Sequence, residues 1–455
     1  MMKMAVVGAG IVGLTTGAGF ADLGHSVHCV DIDTGKIAQL SRGVVPYHEP
    51  GLEALITRNA SSGRLTFGHD SSKLLQEADL VFLSVGTPSC DTGEMSLAAL
   101  WSAIDQMEAW PESESGNRKI IAIKSTVPIG TAERAETRLR SRLPEHCLVE
   151  VVSIPEFMRE GTAVRDFFEP SRMVIGSASA ETGERLKQLH QRLPGPIMVT
   201  DRRSAELAKL AANASLAVKI SFANEIAALA EQTGADYPAV AHSLGLDPRI
   251  GPHFLAAGLG FGGSCLPKDA RALVRIADEA GAPQTLVEAA VRANAMLPLR
   301  MVRKLEAALS DPSRRRVALL GLAFKPGTDD MREAPSLRLV AELNRRHPGI
   351  TLTAYDPEAN HTARKALPSA VTICESAEEA LRGADAAILV TEWREFRQIK
   401  ADDFKNWMNR PIIMDGRNAL DAAALNAQGV VCIGVGRLPV VPENARKAGD
   451  FVPKV

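Results

Sequence analysis

Met4-Ala5-Val6-Val7-Gly8-Ala9-Gly10-Ile11-Val12-Gly13 sets the architecture of this chain. Its first four residues are apolar and read as a buried strand, the glycines punctuate a turn, residues 14–23 read as a helix, and 26–30 turn apolar again. This is one βαβ unit. In such a unit the first glycine permits the tight turn, the second lets backbone approach a pyrophosphate, and the third lets the helix pack on the strand. The N-terminus of the helix offers N–H groups and a positive dipole end to phosphates. Asp31 ends the next strand, where its carboxylate accepts hydrogen bonds from the adenosine ribose and repels a 2′-phosphate, which favours NAD over NADP. Lys36 is within reach of the same ribose or the phosphates. The plainer alternative is a glycine turn followed by a helix-capping Asp.

Working outward, apolar runs at 80–85, 120–123 and 148–152 end abruptly in polar or glycine-containing turns, with helical stretches between them. That alternation predicts a doubly wound parallel sheet with ligands at the carboxyl ends of its strands. Residues 204–230 are Ala-rich and almost free of breakers, so a long helix is expected there, with further helices at 270–279 and 284–292. A second α/β region begins at Arg316, with strands expected at 317–320, 351–355, 386–390, 411–414 and 430–435. The expected fold is therefore α/β: two Rossmann-like doubly wound sheet domains, 1–200 and 301–455, joined by a long central helix and helical connector, 201–300. In both sheet regions a strand runs into an aspartate, Asp31 and Asp356, which hints at duplicated architecture. The polar, proline-containing end from about Pro442 is expected to be a mobile tail.

Composition narrows the function classes. The 455 residues are 45% hydrophobic and 23% charged, and 52 Lys plus Arg face 54 Asp plus Glu, so no global field draws the chain to nucleic acid or an anionic membrane. No apolar run approaches the ~20 residues of a membrane span, and residues 1–13 lack a signal-peptide pattern, so a cytoplasmic protein is expected. The six cysteines, Cys29, Cys90, Cys147, Cys265, Cys374 and Cys432, show no CxxC pair and no metal-ligand spacing. This argues against a disulfide framework and against a bound metal.

Several motifs carry chemistry. Gly86-Thr87-Pro88 and Ser125-Thr126-Val127-Pro128 leave the same edge of the expected sheet, where a dinucleotide lies. In the segment 155–161, Glu156 and Glu160 are four residues apart and share a face if it is helical, and one of them near a nicotinamide can act as acid or base. Taken alone, this segment reads more simply as a surface helix start with favourable dipole charges. Glu206, Lys209 and Asn213 recur along one face of the long helix, and a lysine there is either paired or a fixed cation beside developing negative charge. Most informative is Gly258-Leu259-Gly260-Phe261-Gly262-Gly263-Ser264-Cys265-Leu266-Pro267-Lys268-Asp269. Its glycines are expected to give close backbone approach to a ligand. They lead into a cysteine at a helix start, where the dipole favours the nucleophilic thiolate. The other five cysteines read as small buried or loop residues.

With these motifs in place, the chain resembles the UDP-glucose/GDP-mannose dehydrogenase family over about residues 3–436. The resemblance rests on GAGIVG (8–13), VDID (30–33), the Glu49-Pro50-Gly51-Leu52 turn, VGTP (85–88), KSTVPIGT (124–131), PEFMREG (155–161), AELAKLAANA (205–214), LDPRIGPHFL (246–255), GFGGSCLPKD (260–269), GLAFKPGTDDMREAPS (321–336), YDPE (355–358), TEW (391–393) and DGRN (415–418). Two departures are mild: Ile154 stands where the family usually has Asn before PEF, and Ile11 replaces an aromatic residue.

The resemblance implies oxidation of the C6 alcohol of UDP-glucose to a carboxylate, consuming two NAD and one water. It casts Cys265 as the nucleophile of a thiohemiacetal and thioester, Lys209 and Asn213 as oxyanion partners, and Asp269 with Thr126 as holders of a relay water. Glu156 becomes an acid/base or orients the hydrolysis. Implied NAD contacts are Gly8, Gly10, Ile11, Val12, Gly13, Asp31, Lys36, Thr87, Thr126, Glu160, Cys265 and Arg332. Implied substrate contacts are Glu156, Lys209, Asn213, Phe254, Leu255, Gly258, Gly262 and Cys265, with Lys325 and Arg417 matched to diphosphate and sugar hydroxyls. Arg249 corresponds to a residue that reaches across a dimer interface, so a homodimer through the long helix is implied, with no nucleic-acid or membrane partner. Alternatives are oxidation of GDP-mannose or a UDP-N-acetylhexosamine, a single-step NAD-dependent hydroxy-acid dehydrogenase with a structural Cys265, and a non-catalytic nucleotide-sugar sensor.

Overall fold

Alternate residues of the central strands face two different apolar layers, which is why these strands read as unbroken apolar runs. In a computed structural model, which describes residues 1–90, 92–108, 118–309 and 311–437, Val6, Phe82, Ala122 and Val152 belong to one layer. Their neighbours Val7, Leu83, Ile123 and Val151 belong to the other. The first layer is closed by the helix Ile11–Asp22, whose Phe20 stacks on Phe82 with ring centroids 5.3 Å apart and meets Phe167 edge-on at 5.4 Å.

The chain divides into two compact units, residues 1–212 with 275–282, and residues 213–274 with the chain from Pro283 onward. The first holds eight strands: β1 (Lys3–Val7), β2 (Ser26–Val30), β3 (Leu65–Gly68), β4 (Leu80–Leu83), β5 (Lys119–Ile123), β6 (Val149–Ser153), β7 (Met173–Gly176) and β8 (Ile197–Thr200). They lie in the order β3-β2-β1-β4-β5-β6-β7-β8. The expected parallel sheet is present from β3 to β6, but β7 reverses: Ser153 pairs antiparallel with Gly176, and β8 then runs parallel to β7. Between β6 and β7 the chain forms the short helix Ala163–Phe168.

The second unit holds a fully parallel six-stranded sheet, β9 (Arg316–Leu320), β10 (Thr351–Tyr355), β11 (Val371–Ile373), β12 (Ala386–Leu389), β13 (Ile412–Asp415) and β14 (Val431–Ile433), in the order β11-β10-β9-β12-β13-β14. Its layers are built from Val317, Leu319 and Leu343 on one side and Leu320, Phe396 and Phe404 on the other. The long helix is Arg202–Thr233, 32 residues. The helix expected over 284–292 extends to Thr285–Leu309 and passes straight through Pro298. An internal proline costs about 3 kcal/mol, and burial of Leu297, Met301, Val302 and Leu305 offsets it. The segment from Pro442 lies outside the described residues. Among those described, no helix is long and apolar enough to cross a membrane.

Candidate functional site

In the first unit the glycine turn shows three distinct roles. Gly8 has φ +99°, and a Cβ there would lie 2.6 Å from the Ser84 carbonyl oxygen, while a Cβ on Gly13 would lie 1.8 Å from the Gly8 carbonyl oxygen. A Cβ on Gly10 would meet nothing within 4 Å. That open face belongs to a cleft of about 270 Å³ lined also by Asp31, Ile32, Lys36, Ser84 and Ser102. Gly10 caps the helix without a side chain, so the N–H groups of its first turn, at Ile11 and Val12, face no capping oxygen of its own. The Asp31 carboxylate accepts from Ala9 N–H at 2.7 Å, Asp33 N–H at 3.0 Å and Lys36 Nζ at 3.0 Å. Burial pushes the Asp31 carboxyl up, but the two amides and the ammonium overcome it and hold it below the ordinary carboxylate range. Helix capping falls to Asp33, which accepts from Lys36 N–H, so the plainer reading of Asp31 does not hold. Donors for phosphate, an acceptor for ribose and a turn open at Gly10 fit a dinucleotide.

The two hydroxyl-bearing turns are tied together, because Thr87 Oγ1 donates to the Thr126 carbonyl at 2.8 Å. Residues 155–161 form no helix, contrary to the simpler reading of this segment. Pro155 disfavours helical backbone at Ile154, and the chain leaves β6 extended, carrying Glu156 inward to a buried position. There Glu156 Oε1 pairs with Lys209 Nζ at 3.0 Å, and Oε2 accepts from Met158 N–H at 2.6 Å. Glu156 and Glu160 thus share no helical face. Glu206, on the row with Lys209, instead caps the helix Thr131–Arg140 through the N–H groups of Gly130 at 2.5 Å and Ala132 at 2.8 Å, and its burial raises its pKa. Two residues that the sequence analysis quotes in motifs without giving them a role also belong here. Glu49 accepts from Gly161 N–H at 2.6 Å and Ala163 N–H at 2.8 Å, which fixes the segment after Glu156. The other is the buried Lys124.

In the second unit Cys265 is exposed and immediately precedes the helix Leu266–Glu279, its carbonyl accepting from Asp269 N–H at 2.8 Å. Asp269 is fully buried; its carboxylate accepts from Asn213 Nδ2 at 2.5 Å and from Lys268 Nζ at 2.6 Å. The thiol therefore stands one turn from a buried, charge-balanced network. The glycines before it pass close to protein backbone. A Cβ on Gly258 would lie 2.5 Å from the Gly416 carbonyl oxygen, and one on Gly262 would lie 2.4 Å from that of Glu333, so neither position has room for a side chain. Asn294 then pins the segment through both polar groups of Phe261, accepting its N–H at 2.9 Å and donating to its carbonyl at 3.0 Å.

Arg417 has a side chain 15% exposed, and its guanidinium serves the same segment: it donates to the carbonyls of Val390 at 2.7 Å, Gly260 at 3.1 Å and Phe324 at 3.4 Å, with Glu392 at 3.4 Å. Burial lowers its pKa from the ordinary value. Lys325 Nζ lies 5.4 Å from the Phe324 ring centroid. Arg332 pairs with Asp330 at 2.7 Å, and Arg249, 87% exposed, pairs with Asp247 at 2.5 Å. Phe254 is exposed with φ +63°, whereas Leu255 is buried and its carbonyl accepts from the Tyr237 hydroxyl at 2.7 Å.

The sequence matches three models of one family. The UDP-glucose/GDP-mannose dehydrogenase NAD binding domain covers residues 2–194, the central domain 203–296 and the UDP binding domain 318–422. A UDP-glucose 6-dehydrogenase of Bacillus subtilis is 41% identical over 447 residues, 98% of this chain and 100% of that protein. One of Pseudomonas aeruginosa is 42% identical over 448 residues, 96% and 98% of the two chains. The solved structure of a UDP-glucose dehydrogenase from the hyperthermophilic archaeon Pyrobaculum islandicum superimposes with a TM-score of 0.88 at 34% identity, covering 96% of this chain and 98% of that one.

Proposed function

Because this chain belongs to the UDP-glucose/GDP-mannose dehydrogenase family, we propose that it oxidises the C6 alcohol of UDP-glucose to the carboxylate of UDP-glucuronate through an enzyme-bound thioester. The observation that carries the reading is the placement of Cys265, an exposed thiol at a helix N-terminus one turn before the Asp269–Asn213 network. A dehydrogenase that stops at the aldehyde has no use for such a group. Oxidation to the acid requires a tetrahedral carbon that still bears a hydride, and a nucleophile makes one.

Bound NAD supplies the hydride acceptor for each of the two oxidations. The Cys265 sulfur adds to the C6 aldehyde, forming a C–S bond while the carbonyl oxygen takes a proton. Departure of hydride and of the hydroxyl proton leaves a thioester. Water attacks that carbon, the C–S bond breaks, and the thiol is regenerated. Lys209 and Asn213 balance the negative charge on the reacting oxygen. Asp269 and Thr126 hold the relay water, and Glu156, already fixed by Lys209 and the Met158 amide, acts as acid/base or orients the hydrolysis.

In functional terms residues 1–200 handle NAD, with Glu160 and Arg332 among its contacts. Residues 201–300 form the connector and the surface of a homodimer, to which Arg249 contributes, and 301–455 handle the nucleotide sugar. Phe254, Leu255, Gly258, Gly262, Lys325 and Arg417 contact the substrate, and Arg417 also supports the 258–263 segment through its bond to the Gly260 carbonyl. The protein is assigned to the cytoplasm. The test is purified protein with NAD and a panel of UDP-glucose, UDP-N-acetylglucosamine and GDP-mannose, counting NADH per sugar. Two NADH per UDP-glucose is expected, and Cys265→Ser is expected to fail to reach the acid. A ratio of one, or preference for GDP-mannose, overturns the reading.

A further inference from the structure

One buried charge has no part in the scheme above. Lys124 follows the last residue of β5 and is 8% exposed. Its Nζ forms no hydrogen bond or ion pair with a described residue; its neighbour is the Phe82 ring, with the centroid 5.9 Å away. The side chain lines a cavity of about 50 Å³ together with Ile154, Glu156, Asp166, Arg172 and His190. Ile154 donates its backbone N–H to the Ile123 carbonyl at 2.9 Å, so it runs directly beside Lys124, yet its side chain offers no acceptor. An ammonium held this way is costly, and such groups concentrate where chemistry uses them.

The charges around Lys124 sort by element. Asp166, on the helix Ala163–Phe168, is neutralised by Arg159 at 2.7 Å. Arg172, before β7, lies over the Phe157 ring at 3.8 Å. His190 ends the helix Ala180–His190 with Nδ1 2.7 Å from the Leu186 carbonyl, and burial pushes its pKa down to about 4, so it is neutral. The helix Ile11–Asp22 contributes the apolar Phe20. What remains is Glu156 with Lys209, so the one carboxylate of the cavity not taken by a guanidinium faces two ammonium groups.

We propose that Lys124 is a positioning residue for the oxidation: its buried ammonium faces Glu156 from the cavity side and keeps that carboxylate aligned on Lys209 with a fixed charge through turnover. The inference rests on the function proposed above. Burial pushes the Lys124 ammonium down to about 8, with Glu156 opposing the shift and Lys209 adding to it. Above that pH the cluster loses one positive charge, and the hold on Glu156 weakens.

The experiment measures kcat and KM against pH, with melting temperature, for wild type, Lys124→Met, Lys124→Arg and Ile154→Asn, using NAD and UDP-glucose. Wild-type kcat is expected to fall on the alkaline side near pH 8. Lys124→Met should lower kcat about tenfold with little change in KM for NAD, lose that alkaline limb, and raise the melting temperature, since an unpartnered buried charge is removed. Lys124→Arg, which does not titrate in this range, should restore most of kcat and extend the plateau. Ile154→Asn brings an acceptor into the cavity and should move the limb upward. A Lys124→Met enzyme with wild-type kcat and pH profile overturns the proposal. So does one whose kcat loss comes with a lowered melting temperature, which marks a merely structural role. A wild type that makes no NADH from UDP-glucose overturns the underlying function as well, and is told apart because it fails before any substitution.

Discussion

Asp31 and Asp356 occupy the same place in two sheets and do different work. Each follows the strand that pairs with the first strand of its sheet, and in each the first glycine of the turn donates to the preceding strand end at 2.8 Å, Gly8 to the Val30 carbonyl and Gly321 to that of Tyr355. There the likeness stops. Asp31 borders an open cleft. Asp356 is fully buried: Leu322 N–H at 2.6 Å, Ala323 N–H at 3.0 Å and Trp393 Nε1 at 3.0 Å occupy one oxygen, and the amides of Glu358 at 3.0 Å and Ala359 at 2.8 Å the other. Five residues after Gly321 stands Pro326 rather than a glycine, and the next helix begins only at Pro335. The same strand-and-aspartate frame therefore leaves its carboxylate beside an open cleft in one unit and closes its own turn in the other, with the indole of Trp393 as one of the donors.

That contrast can be broken or sharpened by substitution. Gly13→Ala should have the largest effect, because its Cβ would lie 1.8 Å from the Gly8 carbonyl oxygen. We expect a loss of more than about 3 kcal/mol in urea unfolding, with NAD binding abolished. Wild-type NAD affinity in this variant would dissolve the distinction between the two turns. Asp356→Ala strands five donors and should cost about 3–5 kcal/mol of stability while leaving NAD affinity in calorimetric titration unchanged. Asp31→Ala should invert that pattern, with NAD affinity falling about tenfold to a hundredfold and stability by only about 1 kcal/mol. Trp393→Phe removes one donor from Asp356 and should cost about 1 kcal/mol.

The Asp31 carboxyl adds a pH arm, since it is held below its ordinary range in the folded protein. Its contribution is complete above the unfolded-state value near 4 and is lost as pH falls through the folded value. NAD affinity and the stability of the first unit should therefore decline together below about pH 4, while the second unit gains nothing from Asp31 at any pH.

What the sequence makes legible follows the range of the interactions involved. The first βαβ unit is readable because its constraints are local, three glycines and an aspartate within 24 residues of one another. The long helix is readable from its alanines. β8 escapes notice because it is a four-residue edge strand, half-exposed along its length. Glu156 is misread because nothing near it in sequence announces Lys209, 53 residues away, whose charge makes its burial tolerable. The glycines ahead of Cys265 show where the chain needs room, and only the fold shows that Gly416 and Glu333 are the backbone that approaches them. The carbonyl bonds of Arg417 are hidden for the same reason, their partners lying 27 to 157 residues away. Lys124 looks like any lysine after a strand until Phe82 and Ile154 are seen to enclose it.

The sorting of the six sulfurs has a practical side. Burial pushes the thiols of Cys29 and Cys432 up to about 12, and Cys147 and Cys374 are also buried, while Cys265 and Cys90 stand in solvent. An alkylating reagent reacts with thiolate, so brief treatment at neutral pH should write on two positions and pass over the rest. Peptide masses then separate the mark on Cys265 from the mark on Cys90. The fraction of molecules carrying a reactive Cys265 thiol can thus be weighed directly, and a turnover number can be compared with that fraction rather than with total protein.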